Sequence, residues 1–326
     1  MEGVVAGGVE DFRAKPFFVV NPKSANGATR ERFEAVLPGL REAFPSLSYV
    51  YTNGPLHATT LAAEAACNGA TMVASCGGDG TLNEVVGGLV RSGLAARVVL
   101  AVVPSGTGGD FRKVLPLGPG LDDAIACLRQ GQARPADYGS LTFRDAAGAT
   151  VTRPFVNIAS CGISGLVDHY VNHTTKALGG KASFLIGTIR GMFAYRNVPV
   201  RVTVDGAPLY EGPAKLVAIG NGRFFGGGMM ITPKASWDDG LFDVTVFGNM
   251  SKPQFLTLSR YIYDGTHLGR PGVYSSRGRV VAVEPAGGGR GEPDRALIDL
   301  DGEQPGTIPL EAEVVPAGLR LLVPPR

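Results

Sequence analysis

The sequence has no run approaching eighteen apolar residues, so no segment is expected to cross a bilayer as a helix. It has no block of like charge, and a formal net charge of +2 gives no basis for nucleic-acid binding. Cysteine is scarce. The four at 67, 76, 127 and 161 sit in apolar contexts without metal-ligand spacing, which argues against a disulfide scaffold and fits a reduced, cytoplasmic protein. The four histidines nominate no metal centre, because His169 and His173 are four apart but have no third ligand nearby. The first ten residues include Glu2 and Glu10 and lack the basic and apolar regions of a signal peptide. The expectation is a soluble chain of two domains, long enough for substantial cores.

Glycine is plentiful: 47 residues, with 23 prolines, dispersed in the manner of many turns. In the first half these turns punctuate an alternation of strands and helices. Pro16 to Val20 reads as a strand ending in NPKSANG at 21–27, with a helix to about Phe44. Leu47 to Tyr51 is a second strand, followed by Thr52-Asn53-Gly54-Pro55 and an alanine-rich helix from about His57 to Cys67. Ala70 to Ala74 begins a third, ending in SCGGDGTLNE at 75–84, after which Val85, Val86, Leu89 and Val90 recur at helical spacing. Thr81 and Glu84 read as a capping box. Arg97 to Val103 is a fourth strand, ending in PSGTGGD at 104–110, and Leu121 to Gln130 is a further helical segment.

This alternation predicts an α/β domain with a doubly wound parallel sheet, whose ligands bind outside the carboxyl ends of its strands. All four strand ends carry glycine-rich polar loops. The hydroxyls of Ser24, Thr52, Thr81 and Thr107 suit phosphate or ribose, and Lys23 adds charge; each hydroxyl also suits a simple helix cap. Gly77, Gly78 and Gly80 let a backbone approach an anion at a helix N-terminus. Asp79 is the odd residue. Its carboxylate repels a phosphate unless Mg²⁺ lies between them, or else it only bonds its own turn.

From about Asp137 the period changes to two. Strands are read at 140–143, 151–159, 198–204, 214–220, 241–247, 279–283 and 296–300, giving an antiparallel β-sandwich or open barrel. Ile163 to Asn172 and Pro253 to Tyr263 read as helices. The apolar segment Ala182 to Tyr195 is too short to span a bilayer; it suits core, the wall of an acyl-chain pocket or a surface for a membrane. The turn Lys234-Ala-Ser-Trp-Asp-Asp-Gly-Leu241 suits a hard cation or a plain hairpin. Asp299, Asp301 and Glu303 likewise suit a turn, or a carboxylate that orients and deprotonates a hydroxyl.

Together these stretches resemble the diacylglycerol kinase catalytic-domain family, which includes bacterial lipid kinases and the sphingosine and ceramide kinases. GGDGTLNEV at 77–85 is similar to the family's hallmark, NPKSANG at 21–27 to its NPxSG motif, and PSGTGGDF at 104–111 to its PxGTxNDF motif. GNGRFFGGGMMITPKASWDDGLFDV at 220–244 and Asp301-Gly302-Glu303 also resemble family sequences. One position departs: Gly109 stands where the family usually has Asn.

The resemblance implies an ATP-dependent lipid kinase, diacylglycerol first among substrates, with sphingoid base or ceramide as the alternatives. It implies an ATP-binding domain over 1–136, a β-rich lipid domain over 137–306, and final strands at 307–326 returning to the first domain. Asn21, Pro22, Lys23, Ser24, Ala25, Thr52, Gly77, Gly78, Asp79, Gly80, Thr81, Leu82, Asn83 and Thr107 would line the ATP site. Glu303 or Asp301 would accept the proton, with Asp79 on the metal side. Ser236, Asp239 and Leu241 would hold a structural Mg²⁺. Peripheral contact with a membrane and a homodimer fit such an enzyme. GGDGT alone also fits a soluble-substrate kinase of the NAD kinase type, or a nucleotide-binding regulator without turnover.

Overall fold

Strands β1 (Pro16–Val20), β2 (Ser48–Tyr51), β3 (Met72–Gly77) and β4 (Val99–Pro104) run parallel in the order β2-β1-β3-β4. The computed structural model describes residues 11–105, 109–165, 195–286 and 296–325. β3 is buried along its whole length, as an apolar strand covered on both faces must be. Helices α1 (Thr29–Ala43), α2 (His57–Cys67), α3 (Asp79–Arg91), α4 (Asp110–Val114) and α5 (Leu121–Gln130) accompany this sheet.

Helices α2 and α3 meet at backbone distance. A Cβ built on Gly88 would lie 2.3 Å from the Thr59 carbonyl oxygen and 2.8 Å from the Ala62 Cβ. Its neighbour Gly87 would meet nothing closer than 3.8 Å. Gly88→Ala is therefore expected to destabilise the fold by about 1–3 kcal/mol through overpacking, while Gly87→Ala costs little. Equal unfolding midpoints for the two variants would mean that the helices have room to part.

Thr81 does not cap α3. The cap is Gly78 in extended conformation, and the helix begins at Asp79, two residues too early for a capping box at Thr81. The Thr81 hydroxyl instead accepts a hydrogen bond from the Asn21 amide at 2.9 Å. Glu84 reaches across to accept the Ala58 N–H at 3.1 Å, placing a carboxylate in the first turn of α2.

The remaining strands are β5 (Gln132–Asp145), β6 (Thr150–Phe155), β7 (Ile158–Gly162), β8 (Val198–Val204), β9 (Ala207–Ala214), β10 (Leu216–Gly220), β11 (Phe224–Phe225), β12 (Met229–Met230), β13 (Phe242–Phe247), β14 (Val273–Gly278), β15 (Val280–Pro285), β16 (Ile298–Leu300) and β17 (Gly306–Val323). Helix α6 (Lys252–Tyr263) opens on a Ser251–Gln254 capping box. One sheet runs β14-β13-β10-β7-β16 and packs on the β5, β6, β8, β15 and β17 part of the other. Phe143, Phe155, Val202, Ile219, Phe242, Val281, Ile298 and Leu310 fill the space between them. This is the expected antiparallel sandwich behind an α/β domain. β17 is antiparallel to β15 and β5, and its end is parallel to β4 at Arg320 and Leu321, so one ten-stranded sheet is continuous through both halves.

Two differences from the sequence reading have physical causes. The run 151–159 is two strands, because the ladder breaks at Val156 and Asn157, whose N–H groups turn to a side chain instead. β9 and β14 left no alternating apolar signal: both are edge strands, one carrying Pro208, Gly212 and Pro213, the other Ser275, Ser276 and Arg277. Thr107, His169, His173, the Ile163–Asn172 helix beyond Gly165 and the apolar segment before Tyr195 lie outside the described residues.

Candidate active site

The loops leaving β1, β3 and β4 are stitched into one surface. The Asn21 N–H donates to the Cys76 carbonyl at 2.9 Å, and the Ser105 N–H donates to the Gly77 carbonyl at 3.2 Å. Ser24 and Ser105 hydroxyls lie 3.4 Å apart. Asn21 Oδ1 accepts the Lys23 N–H at 3.0 Å in a local turn, while the Lys23 side chain is exposed. Ala25, Asn26 and Gly27 all have positive φ, at 54°, 57° and 91°, a costly run for a non-glycine residue. Thr52 donates its N–H to the Val20 carbonyl at 2.9 Å and lies beside the same edge.

Space decides what the glycines do. A Cβ on Gly77 would fall 2.4 Å from the Thr81 hydroxyl, so Gly77 is needed for packing. Cβ atoms on Gly78 and Gly80 would meet nothing within 4 Å. The open side of this loop, with the N–H groups of the first turn of α3 beside it, fits phosphate oxygens. Thr81, Leu82 and Asn83 are buried.

Asp79 does not face this opening with free oxygens. Its carboxylate accepts the N–H groups of Gly109 at 3.1 Å, Asp110 at 2.9 Å and Phe111 at 3.3 Å, fastening the β4–α4 loop to α3. Burial pushes this carboxyl above its ordinary range, and those three donors pull it back. Gly109 sits at φ 84°, ψ 53°, in the left-handed region. Asn is the other residue that visits this region readily, which accounts for Gly at a position where the resembling motif carries Asn.

The Asp301-Gly302 turn lies against α3 from the far end of the chain. Leu300 and Glu303 exchange both backbone hydrogen bonds, and Asp301 and Gly302 have φ of 50° and 90°, so the segment is a tight hairpin turn of the Asp-Gly type. It is also much more than that. Asp301 Oδ2 accepts the Asn83 amide at 2.9 Å and the Val156 N–H at 3.0 Å; Oδ1 accepts the N–H groups of Asn157 at 3.1 Å and Ile158 at 2.9 Å. Glu303 is pinned differently: its Oε2 accepts Arg153 Nη2 at 2.7 Å, and its side chain keeps 35% of its surface exposed.

Burial pushes the Asp301 carboxyl up to about 6, against the downward pull of Val156, Asn83 and Ile158. The folded group thus holds its proton more tightly than an unfolded one near 3.8. Its contribution to stability is full below pH about 4 and is lost as pH rises to about 6, on the order of 3 kcal/mol. The stability difference between wild type and Asp301→Asn should shrink across that window. A difference independent of pH would mean that the four donors keep the carboxylate ionised throughout.

Ser236, Asp239 and Leu241 fall in one turn, but arginines occupy its acids. Asp239 Oδ2 pairs with Arg277, its Oδ1 accepts the Leu241 N–H at 3.1 Å, and the Ser236 hydroxyl donates to Asp238, which pairs with Arg134 at 2.7 Å. As arranged, the turn is a salt-bridge network and does not fit a cation without displacing Arg277. Among the described residues no group of three or more His, Cys, Asp or Glu could hold a metal ion.

Two residues escaped the sequence reading. Arg153 bridges Glu303 and, at 3.3 Å, Asn83 Oδ1, yet an arginine in an alternating strand reads only as solvent-facing. Asp110 is buried, pairs with Lys113 at 2.7 Å and accepts the Gly227 N–H at 2.7 Å, tying α4 to the β11–β12 hairpin. Its place in PSGTGGDF was the available signal.

Comparison with known proteins agrees with this architecture. Residues 15–141 match the diacylglycerol kinase catalytic domain, and residues 157–323 match the YegS C-terminal NAD kinase beta sandwich-like domain. The chain is similar to a protein of Pseudomonas aeruginosa (strain UCBPP-PA14) named "Probable lipid kinase YegS-like", 31% identical over 319 residues, covering 95% of this chain and 94% of that one. It is similar to a "Diacylglycerol kinase" of Mycobacterium tuberculosis (strain ATCC 25618 / H37Rv), 26% identical over 307 residues and 94% of each chain. A crystal structure of a candidate diacylglycerol kinase from Bacillus anthracis str. Sterne superposes with a TM-score of 0.74 at 26% identity, covering 96% of this chain and 98% of that chain.

Proposed function

The chain belongs to the diacylglycerol kinase catalytic-domain family with its YegS-like lipid kinases, and from that premise we propose that it transfers the γ-phosphoryl group of ATP to the hydroxyl of a lipid, diacylglycerol first. The observation that carries the reading is the Asn83–Asp301 hydrogen bond. It brings the Asp301-Gly302-Glu303 turn, 218 residues away in sequence, to within one helical turn of the glycine loop. A glycine loop with an open side and a part-exposed carboxylate are then joined through Asn83 and Arg153, an arrangement that suits transfer to a hydroxyl.

In this reading the open backbone at Gly78 and Gly80 receives phosphate oxygens, with Lys23 adding charge from the β1 loop. Asp79 keeps the loop in shape by holding the amides of residues 109–111. Mg²⁺, arriving with ATP, supplies charge neutralisation among the phosphates. Glu303 takes the hydroxyl proton, its carboxylate aimed by Arg153. Asp301 is the positioning residue, since four donors already use its oxygens.

Labelled ATP supplied with a panel of detergent-dispersed diacylglycerol, ceramide and sphingosine, with NAD as a soluble acceptor, tests the proposal. A phosphorylated lipid is expected. Label found only in NADP, or in no acceptor, would sink it.

A further inference from the structure

The helix farthest from the glycine loop in role, α6, has an outward face that the core does not explain. Its inner side is fixed: Leu258 and Ile262 are buried, and Phe255 packs edge-on against Phe247 at 5.7 Å. That orientation turns Leu256, Arg260 and Tyr263 outward at helical spacing i, i+4, i+7. Leu256 is 59% exposed and Tyr263 53%, two of only five large hydrophobic residues so exposed among those described. A single exposed leucine is ordinary, so the pair alone proves little.

Charge makes the difference. Residues 251–272 contain Lys252, Arg260 and Arg270 against one carboxylate, Asp264. Arg260 and Arg270 both crowd Tyr261, their guanidinium carbons 4.5 Å and 3.3 Å from its ring centre, and Arg260 also donates to the Tyr261 hydroxyl. Neither arginine forms an ion pair among the described residues. Two like charges held together on one aromatic ring repel each other, and an external anion relieves that repulsion. Apolar side chains beside uncompensated arginines on a surface helix match a bilayer interface with anionic headgroups.

We propose that the outer face of α6, with Arg270, is the surface by which this protein docks on an anionic lipid bilayer. The inference rests on the lipid-kinase reading, because an enzyme whose substrate lies in a bilayer needs such a surface. Arg260 and Arg270 meet lipid phosphates while Leu256 and Tyr263 enter the headgroup layer.

Co-sedimentation of the full chain with vesicles tests this, using phosphatidylcholine alone and phosphatidylcholine mixed with phosphatidylglycerol. Wild type should bind the mixed vesicles more tightly, and the preference should fade with added salt. Arg260→Gln with Arg270→Gln should weaken binding to the mixed vesicles about thirtyfold. Leu256→Ser with Tyr263→Ser should weaken it about tenfold or more. Leu256, Arg260 and Tyr263 are exposed, and Arg270 is half-buried with its Nε donating to the Thr266 carbonyl at 3.1 Å, a bond that a glutamine amide can replace, so unfolding midpoints and phosphorylation of detergent-dispersed lipid should stay near wild-type values. Wild type that ignores mixed vesicles, or variants that bind them as well as wild type, would overturn the docking surface. Vesicle binding that depends on α6 while no lipid is phosphorylated in detergent would overturn the kinase reading and leave this surface standing.

Discussion

Glu303→Gln is expected to fold normally and to lose turnover, with kcat down at least about a hundredfold, the usual size of general-base catalysis. The amide keeps the side chain's size and can still accept one hydrogen bond from Arg153, so the turn has no reason to move. What it cannot do is take a proton. Nucleotide affinity should barely change, because the backbone at Gly78 and Gly80 that is proposed to receive phosphate belongs to a different part of the chain. The measurement is kcat on dispersed lipid beside the nucleotide Kd and the unfolding midpoint. A fully active variant would remove Glu303 from the chemistry and return it to an ordinary partner of Arg153.

The first half of the fold was legible because its elements are punctuated. Helices 57–67 and 121–130 begin and end where the glycines and polar turns indicate, and each apolar strand stops at a glycine-rich loop. The break at Val156 and Asn157 was not legible, since nothing local distinguishes it from a continuous strand. It exists because three successive N–H groups there serve Asp301, nearly 150 residues later. Asn83 is a parallel case. Its motif placed it beside nucleotide, but its amide is buried and spent on Asp301 and the Pro154 carbonyl, at 2.9 and 3.1 Å. Motifs report which residues gather at a site; they do not report which of them hold the two halves together. Arg153 shows the same limit from the other side: it bridges Asn83 and Glu303 and belongs to no motif at all.

Asp301→Asn should fail in another way, by losing stability and turnover together. The four donors on Asp301 come from two separate parts of the fold: one from Asn83 on α3, three from the corner between β6 and β7. An asparagine offers one oxygen, enough for two of them. Its amide nitrogen would confront the other two with a donor. Each buried N–H left without an acceptor costs about 1–3 kcal/mol, so a loss of about 1–3 kcal/mol is expected to remain at neutral pH, after the difference has shrunk between pH about 4 and about 6. Glu303 lies two residues on, aimed by the same turn, so its carboxylate is displaced as the turn loosens. Even a 1 Å displacement can cost about a hundredfold in rate. Chemical denaturation read together with kcat separates the two acids: Glu303→Gln should sit at wild-type stability with low kcat, and Asp301→Asn should fall on both axes. A stable but inactive Asp301→Asn would instead move the proton-accepting role to Asp301, because only a group needed for chemistry and dispensable for the fold behaves that way.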